Sequence, residues 1–202
     1  MFKNIFGKIK VLDHQAQLKE WEKNGRTGPS PHLVKQKLIE EFKNRFNTEI
    51  LVETGTYLGE MIEAQLNNFI RIYSIELSKR LFRRATTKFN KYPHIRILLG
   101  DSGIILKNLM TDIDKPALFW LDGHYSHGIT AKGDKECPVK EELATIFKYP
   151  LSHIILIDDA RLFNGTNDYP TLEEIKNIID AYKRKYRMEI QNDIICLTPI
   201  EN

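Results

Sequence analysis

The sequence predicts an α/β fold in which a mostly parallel sheet carries helices on both faces. From residue 49 onward, short apolar runs alternate with helical patterns, and each connection is long enough to hold a crossover helix. The strand-like runs are almost continuously apolar, as expected for strands that are covered on both faces. The last two runs, 188–191 and 193–198, predict a hairpin that turns near Asn192 and adds an antiparallel strand at the edge.

The alternation places the elements in order. The strands are predicted at 49–53, 71–75, 95–99, 117–121 and 153–157. The helices that follow them are predicted at 60–68, 78–90, 103–110, 139–147 and 171–186. Upstream, residues 1–47 are expected to form an N-terminal helical arm or cap, with helices at about 11–24 and 32–46 separated by a Gly- and Pro-rich loop at 25–31. Residues 48–202 would form the sheet domain, within one compact unit.

Bulk composition limits the functional classes. The chain has 202 residues and a net charge of +3, which is too small to indicate nucleic acid by itself. Its two cysteines, without a C-x-x-C motif, suggest a cytoplasmic protein rather than a disulfide framework. No apolar run approaches the roughly 20 residues that cross a bilayer. Residues 1–12 are weakly amphipathic and basic, which favours an arm packed on the body over contact with a membrane surface.

Acidic residues end two of the predicted strands. Asp122 follows the fourth strand, and Asp158 and Asp159 follow the fifth. The carboxyl ends of parallel strands meet at one edge, where open α/β sheets bind ligands. Because like charges repel, a bound cation is the simplest reason for three carboxylates to converge there. The alternative is structural: Asp158 caps the following turn, and Asp122 receives backbone hydrogen bonds.

The first strand leads into a glycine turn preceded by an acid. Gly55 allows a sharp turn and close approach to a ligand, and Gly59 allows the next helix to begin against it. Glu53 disfavours a pyrophosphate and suits a ligand that carries a cation. Glu76 ends the second strand about 20 residues later, where an acid can bind ribose hydroxyls. Asp101 and Ser102, after the third strand, would meet an adenine edge.

A positively charged ribonucleoside fits these positions, and S-adenosylmethionine is the expected cofactor. The residues expected to bind it are Glu53, Thr54, Gly55, Tyr57, Gly59, Glu76, Asp101, Ser102 and Asp122. The loop at 25–31 is a weaker candidate for folding over the cofactor.

With these residues in place, residues 48–200 resemble class I S-adenosylmethionine-dependent methyltransferases. Glu53, Gly55 and Gly59 match the first motif of that family, Glu76 matches the acidic second motif, and Asp101 the third. The resemblance implies a Rossmann-like sheet of seven strands in the order 3-2-1-4-5-7-6, with strand 7 antiparallel.

The acidic residues further resemble those of metal-dependent O-methyltransferases of the catechol, caffeoyl-CoA and macrocin types. This resemblance implies that Asp122, Asp158 and Asp159 bind Mg²⁺ or another divalent cation. The stretch 119–126 also looks like methyltransferases of glycan gene clusters. The implied activity is metal-assisted O-methylation of a small polyhydroxylated acceptor such as a sugar. A metal-independent methyltransferase acting on nitrogen or RNA, and a nucleoside-binding protein without catalysis, are the alternatives.

The sequence leaves more alternatives open for the catalytic residues than for the cofactor site. The catechol-type enzymes have a lysine base three residues after the first metal aspartate, and this chain has Tyr125 there. His124, Tyr125 and Asp122 are therefore the catalytic candidates, with His127 as a further base or with no side-chain base at all. The loop at 126–138 is either a lid or a connector.

Basic residues near the C-terminus point to no specific partner. Arg161 would bind an anionic acceptor or form a salt bridge, and the run at 182–187 is expected on a solvated helix face. Nucleic acid is therefore a disfavoured partner, a small-molecule acceptor is favoured, and a homodimer stays open.

Overall fold

The computed structural model describes residues 14–123 and 137–200 and contains a seven-stranded sheet. The strand order is β3-β2-β1-β4-β5-β7-β6, and β7 runs antiparallel to both of its neighbours. The strands are β1 Ile50–Thr54, β2 Arg71–Glu76, β3 Ile95–Leu99, β4 Leu118–Leu121, β5 Ile154–Ile157, β6 Tyr186–Gln191 and β7 Ile194–Pro199. The fold class and the strand order are both confirmed.

Helices cover both faces of the sheet. They are α1 His14–Lys23, α2 His32–Arg45, α3 Glu60–Gln65, α4 Lys79–Phe89, α5 Ser102–Leu109, α6 Val139–Lys148 and α7 Leu172–Ala181, with 3-10 turns at Met110–Asp112 and Ala160–Leu162. Side chains alternate along each strand, so Leu51 and Trp120 pack against α2, α3 and α4. Val52 and Phe119 pack against α5, α6 and α7 on the other face.

The second helix belongs to the core of the sheet. Leu38, Ile39 and Phe42 of α2 are buried in the same cluster as Leu51 and Trp120. Burial of each of these apolar side chains stabilises the fold by about 1.5–3 kcal/mol, so together they hold α2 on the sheet. The predicted division of the chain at residue 48 stays a prediction.

The last helix ends earlier than the sequence predicts. α7 begins at a capping box formed by Thr171 and Glu174, but it ends at Ala181 instead of residue 186. Lys183 has a left-handed backbone (φ 52°), and the guanidinium of Arg184 donates to the carbonyl oxygens of Phe147 (3.0 Å) and Pro150 (3.2 Å). Residues 182–187 therefore do not lie on a helix, because Arg184 caps the end of α6 and Tyr186 begins β6. Lys183, Lys185 and Arg187 are nevertheless exposed, as expected.

Two further expectations concern the environment of the protein. Within residues 14–123 and 137–200, no helix is long and apolar enough to cross a membrane. Cys137 and Cys196 are both buried free thiols, and burial raises the pKa of each to about 12. Neither thiol is thus a nucleophile at neutral pH.

Candidate cofactor and acceptor site

The glycine turn after β1 brings two strand tips into contact. Gly55 has φ 85°, and its N–H donates to the carbonyl oxygen of Ile75 at 2.9 Å. A Cβ on Gly55 would lie 2.3 Å from the carbonyl oxygen of Asp122, at the tip of β4. Only glycine fits this position. Gly59 also has positive φ (71°) and packs against the ring of Phe89, where it opens α3 as expected.

The carboxylate of Glu76 is fixed at the tip of β2. Its two oxygens accept hydrogen bonds from the backbone N–H groups of Tyr57 (2.8 Å) and Ser78 (2.7 Å). Burial raises the pKa of Glu76, and these N–H donors oppose that rise. These hydrogen bonds orient the carboxylate beside the glycine turn. Its expected role, binding ribose hydroxyls, stays a prediction. The ring of Tyr57 itself is 45% exposed.

Glu53 is buried beneath the same turn and is held by hydroxyl groups. The hydroxyl of Ser74 donates to Oε2 of Glu53, and Oγ1 of Thr56 lies 2.6 Å from Oγ of Ser74. Burial raises the pKa of Glu53 to about 8, Ser74 opposes this, and the charges of Asp122 and Glu76 add to it. Glu53 is thus largely protonated at neutral pH. Sequence reasoning missed Ser74, although a serine in a buried apolar strand was a visible signal.

The tip of β3 joins this arrangement. The N–H of Gly100 donates to the carbonyl oxygen of Glu76 at 3.0 Å, so Asp101 and Ser102 follow directly beside β2. Asp101 stands at the N-cap of α5, but its side chain makes no capping hydrogen bond. Thr54 contributes a buried hydroxyl with no hydrogen-bond partner among the described residues. The tips of β1, β2 and β3 form what we call the cofactor half of the edge.

The aspartates lie at the neighbouring strand tips, which we call the acceptor half. The N–H of Asp122 donates to the carbonyl oxygen of Thr54, and that of Asp158 to Leu121, both at 3.1 Å. Asp122 and Asp158 therefore follow adjacent strands at one edge, as predicted. The structural alternative for Asp158 is also realised, because its Oδ1 accepts the backbone N–H of Asp159 at 2.9 Å.

A lysine from α2 supplies the positive charge at the acceptor half. The ammonium of Lys35 donates to Oδ2 of Asp158 and lies 6.0 Å from the ring centre of Trp120. Burial lowers the pKa of Lys35, but Asp158, Asp122 and Asp159 raise it by more, so the group remains an ammonium at neutral pH. Sequence reasoning missed Lys35, since nothing near it in sequence points to residue 158.

The second aspartate of the pair has its own cation. Oδ1 of Asp159 accepts a hydrogen bond from Nη1 of Arg161 at 2.6 Å, and the same nitrogen pairs with Asp193. Asp159 has a left-handed backbone (φ 58°), which suits the sharp turn that follows β5. The salt-bridge interpretation of Arg161 is therefore confirmed.

The predicted metal site can be tested against these contacts. Asp158 is bound by Lys35, and Asp159 by Arg161. Within the two described stretches, no three His, Cys, Asp or Glu side chains form a group that could hold a metal ion. The described residues do not support a divalent cation, and the role of Asp122, Asp158 and Asp159 as its ligands stays a prediction. His124, Tyr125, His127 and most of the loop at 126–138 lie outside the described residues.

The first turn of α2 crosses the edge between the two halves. The charge of Glu60, at the start of α3, acts on His32, and Lys35 reaches the tip of β5 one helical turn later. Burial lowers the pKa of His32 by more than Glu60 raises it, and the ring of His32 lies 5.2 Å from that of His14 on α1. The preceding loop is anchored elsewhere than expected: the hydroxyl of Ser30 donates to the carbonyl oxygen of Asn192, on the hairpin and away from the cofactor half.

Solved structures of methyltransferases superpose on most of this chain. An O-methyltransferase from Bacillus cereus in complex with SAH superposes with a TM-score of 0.58 and 12% identity, covering 93% of this chain and 90% of that one. TomG, an O-methyltransferase from Streptomyces achromogenes in complex with SAM, gives 0.57 and 11%, covering 94% and 89%. The chain has the fold of S-adenosylmethionine-dependent methyltransferases.

The same fold also serves other acceptors. The N-methyltransferase NodS from Bradyrhizobium japonicum superposes with a TM-score of 0.54 and 11% identity, covering 83% of this chain and 95% of that one. No protein-family model matches the sequence, and no curated protein sequence is significantly similar to it. The fold therefore names no acceptor for this chain.

Proposed function

We propose that the protein is an S-adenosylmethionine-dependent methyltransferase that methylates a hydroxyl group of a small polyhydroxylated acceptor. The observation that carries the proposal is the Glu76 carboxylate, which is fixed by two backbone N–H groups at the tip of β2. It stands beside a glycine turn that approaches the tip of β4 too closely for any side chain. This is a prepared site for a nucleoside with a ribose diol.

The cofactor would lie along the tips of β1, β2 and β3. Glu76 would accept hydrogen bonds from the ribose hydroxyls, and Asp101 and Ser102 would meet the adenine. Glu53 lies under the glycine turn, where the charged methionine end of the cofactor would pass. Because a nearby cation favours the ionised carboxylate, binding would lower the pKa of Glu53 and release its proton. The donor methyl group would then face the acceptor half.

For methyl transfer, the orientation of the acceptor oxygen toward the methyl carbon matters more than chemical activation of either group. The acceptor oxygen attacks the methyl carbon as the carbon–sulfur bond breaks, and the electron pair of that bond stays on sulfur. The hydroxyl proton becomes strongly acidic as the oxygen–carbon bond forms, so a carboxylate is a sufficient base. Asp122 borders both halves of the edge, and we assign it the role of accepting this proton before it passes to water. His124 and Tyr125 stay predictions for the same role.

The charges at the acceptor half favour a neutral acceptor. Asp122, Asp158 and Asp159 face the cations Lys35 and Arg161, and Arg161 is shared with Asp193. Among the described side chains the balance is negative, which disfavours a phosphate or carboxylate on the acceptor. A polyol such as a sugar fits this balance, in agreement with the resemblance to glycan-cluster methyltransferases.

Two measurements test the proposal. Calorimetry with S-adenosylhomocysteine should show binding to the wild type, because the cofactor half is already organised. Transfer of tritium from methyl-labelled S-adenosylmethionine into panels of sugars, phenols, amines and RNA should label a sugar or another polyol. Label in the amines or RNA alone would favour the N- or RNA-methyltransferase. Binding without transfer into any panel would favour a protein without catalysis, and absence of binding would contradict the proposal altogether.

A further inference from the structure

A buried carboxylate at the tip of β5 requires a compensating charge. The side chain of Asp158 is 1% exposed and that of Lys35 is 17% exposed, so their ion pair is largely shielded from water. Removing either partner of such a pair leaves the other charge buried and uncompensated. The charges of Asp122 and Asp159 also act on Lys35, while Asp159 forms its own ion pair with Arg161.

The helix that carries Lys35 is fixed in place. Leu38, Ile39 and Phe42 anchor α2 in the core, and Nε2 of Gln65 on α3 donates to the carbonyl oxygen of Gln36 at 3.1 Å. The ammonium therefore arrives at the strand tips on a rigid element, as a positioned group would. Contact with the face of Trp120, itself buried in β4, restricts it further.

The contacts of Asp158 and Asp159 occupy carboxylate oxygens that a metal ion would need as ligands. A divalent cation of the Mg²⁺ type needs about six oxygen ligands, and an ammonium already occupies Oδ2 of Asp158. Oδ1 of the same residue accepts a backbone N–H, and Oδ1 of Asp159 accepts from Arg161. Binding a metal here would require Lys35 to leave a buried partner.

We propose that Lys35 takes the place of a divalent cation in this site, compensating the buried charge of Asp158 and donating a hydrogen bond to the acceptor hydroxyl oxygen. An ammonium has three N–H donors, and among the described residues Lys35 uses one of them, toward Asp158. The remaining donors orient the acceptor oxygen toward the methyl group. Methyl transfer is then metal-independent. This inference rests on the proposed function and identifies the acceptor-binding cation of the same site.

Lys35 and the hydroxyl proton have separate roles. Lys35 stays protonated throughout, so it binds the acceptor and does not act as the base. The proton passes to Asp122, the new bond joins the acceptor oxygen to the methyl carbon, and sulfur keeps the electron pair of the broken bond. No further reactant is required.

The test compares Lys35→Met with Lys37→Met, a matched change at an exposed lysine on the same helix. In excess EDTA the wild type should transfer tritium to its best sugar at the full rate. Lys35→Met should lose about 10- to 100-fold in kcat/KM, with a raised KM, because one charge-assisted hydrogen bond to the acceptor is lost. S-adenosylhomocysteine should bind Lys35→Met as it binds the wild type, and Lys37→Met should keep full activity. Lys35→Arg, which keeps the charge, should recover part of the rate.

Mn²⁺ titration of the wild type, followed by electron paramagnetic resonance, needs neither a variant nor an acceptor. The proposal expects no tight binding. Tight Mn²⁺ binding, loss of transfer in EDTA with recovery in Mg²⁺, or full activity of a folded Lys35→Met would overturn it. If S-adenosylhomocysteine does not bind at all, the proposed function fails first, and the Mn²⁺ titration still decides between lysine and metal.

Discussion

The side-chain hydrogen bonds that hold Glu53 and Glu76 in the cofactor half join residues 2 to 21 positions apart, whereas the acceptor half depends on an ion pair between residues far apart in the chain. Glu76 is fixed by Ser78, two residues away, and by Tyr57 in the neighbouring turn. Lys35 and Asp158 are separated by 123 positions and meet only because α2 packs across the edge. The cofactor half is therefore readable as a motif, and the acceptor half is not.

The two halves also handle buried charge differently. Glu53 in the cofactor half loses its charge, since burial raises its pKa to about 8. Burial also raises the pKa of Asp158 in the acceptor half, but there the ion pair with Lys35 opposes the rise. Under the proposed function, a protonated acid at the cofactor half can give up its proton when the cationic cofactor binds, and the acceptor half keeps a cation for a neutral acceptor. Four changes would break or sharpen this comparison, and they follow in order of expected size.

The glycine turn should be the most sensitive position. Gly55→Ala would place a Cβ 2.3 Å from a backbone oxygen, so neither atom can move without shifting a strand tip. We expect a loss of about 3 kcal/mol in the free energy of unfolding, from overpacking and left-handed strain together, and loss of S-adenosylhomocysteine binding. Urea denaturation and calorimetry measure both.

Gly25→Ala is the matched control for this change. Gly25 has a similar φ of 73° but nothing within 4 Å of a built Cβ, so it should cost only the strain, about 1 kcal/mol. Equal losses at Gly55 and Gly25 would show that the close approach to β4 is unimportant.

Lys35→Met should destabilise the protein by about 3 kcal/mol at neutral pH, because Asp158 is left buried without its partner. The uncompensated carboxylate would have a raised pKa in the folded state, so the loss should shrink as the pH falls and Asp158 takes up a proton. Urea denaturation across a pH series measures this. Lys37→Met, on the exposed side of α2, should stay within about 0.5 kcal/mol. A pH-independent loss would mean that Lys35 stabilises through packing alone.

Glu76→Gln should weaken cofactor binding with a smaller effect on folding. The backbone N–H groups of Tyr57 and Ser78 each donate to a different oxygen of the Glu76 carboxylate, whereas an amide has only one acceptor oxygen. One N–H loses its partner, and the ribose loses a charged acceptor, so S-adenosylhomocysteine affinity should fall by about 10- to 100-fold. Calorimetry measures this. Glu63→Gln, at an exposed carboxylate, is the comparison and should keep wild-type affinity; an equal loss of affinity there would argue against a special role for Glu76.

Glu53→Gln should change the pH dependence of stability. Because the folded pKa lies above the unfolded value, the stabilising contribution of the proton is complete below about pH 4.5 and is lost as the pH rises to about 8. The wild type should lose at most about 1.4 kcal/mol per pH unit in that window, in a region that also holds Asp122 and Glu76. Glu53→Gln, a neutral mimic, should flatten the slope. Glu49→Gln, at an exposed ion pair, should leave it unchanged.

The sequence by itself determined the layered α/β fold, because the period of apolar residues separates strands from helices wherever the run is long enough. It also identified the glycine turn and the acids at the tips of β1, β2 and β3 as candidates, since each comes directly at the end of a run that predicts a strand. The sequence did not predict the early end of α7, because Arg184 caps a different helix, α6.

Only the tertiary structure decided the charge balance at the tips of β4 and β5. Three aspartates in the sequence pointed to a metal, but among the described residues Asp158 pairs with an ammonium from α2 and Asp159 with the guanidinium of Arg161. Which cation compensates a buried carboxylate depends on which helix packs over it, and that packing is fixed by apolar contacts across the whole face of the sheet. No local pattern around Asp158 or Lys35 carries that information.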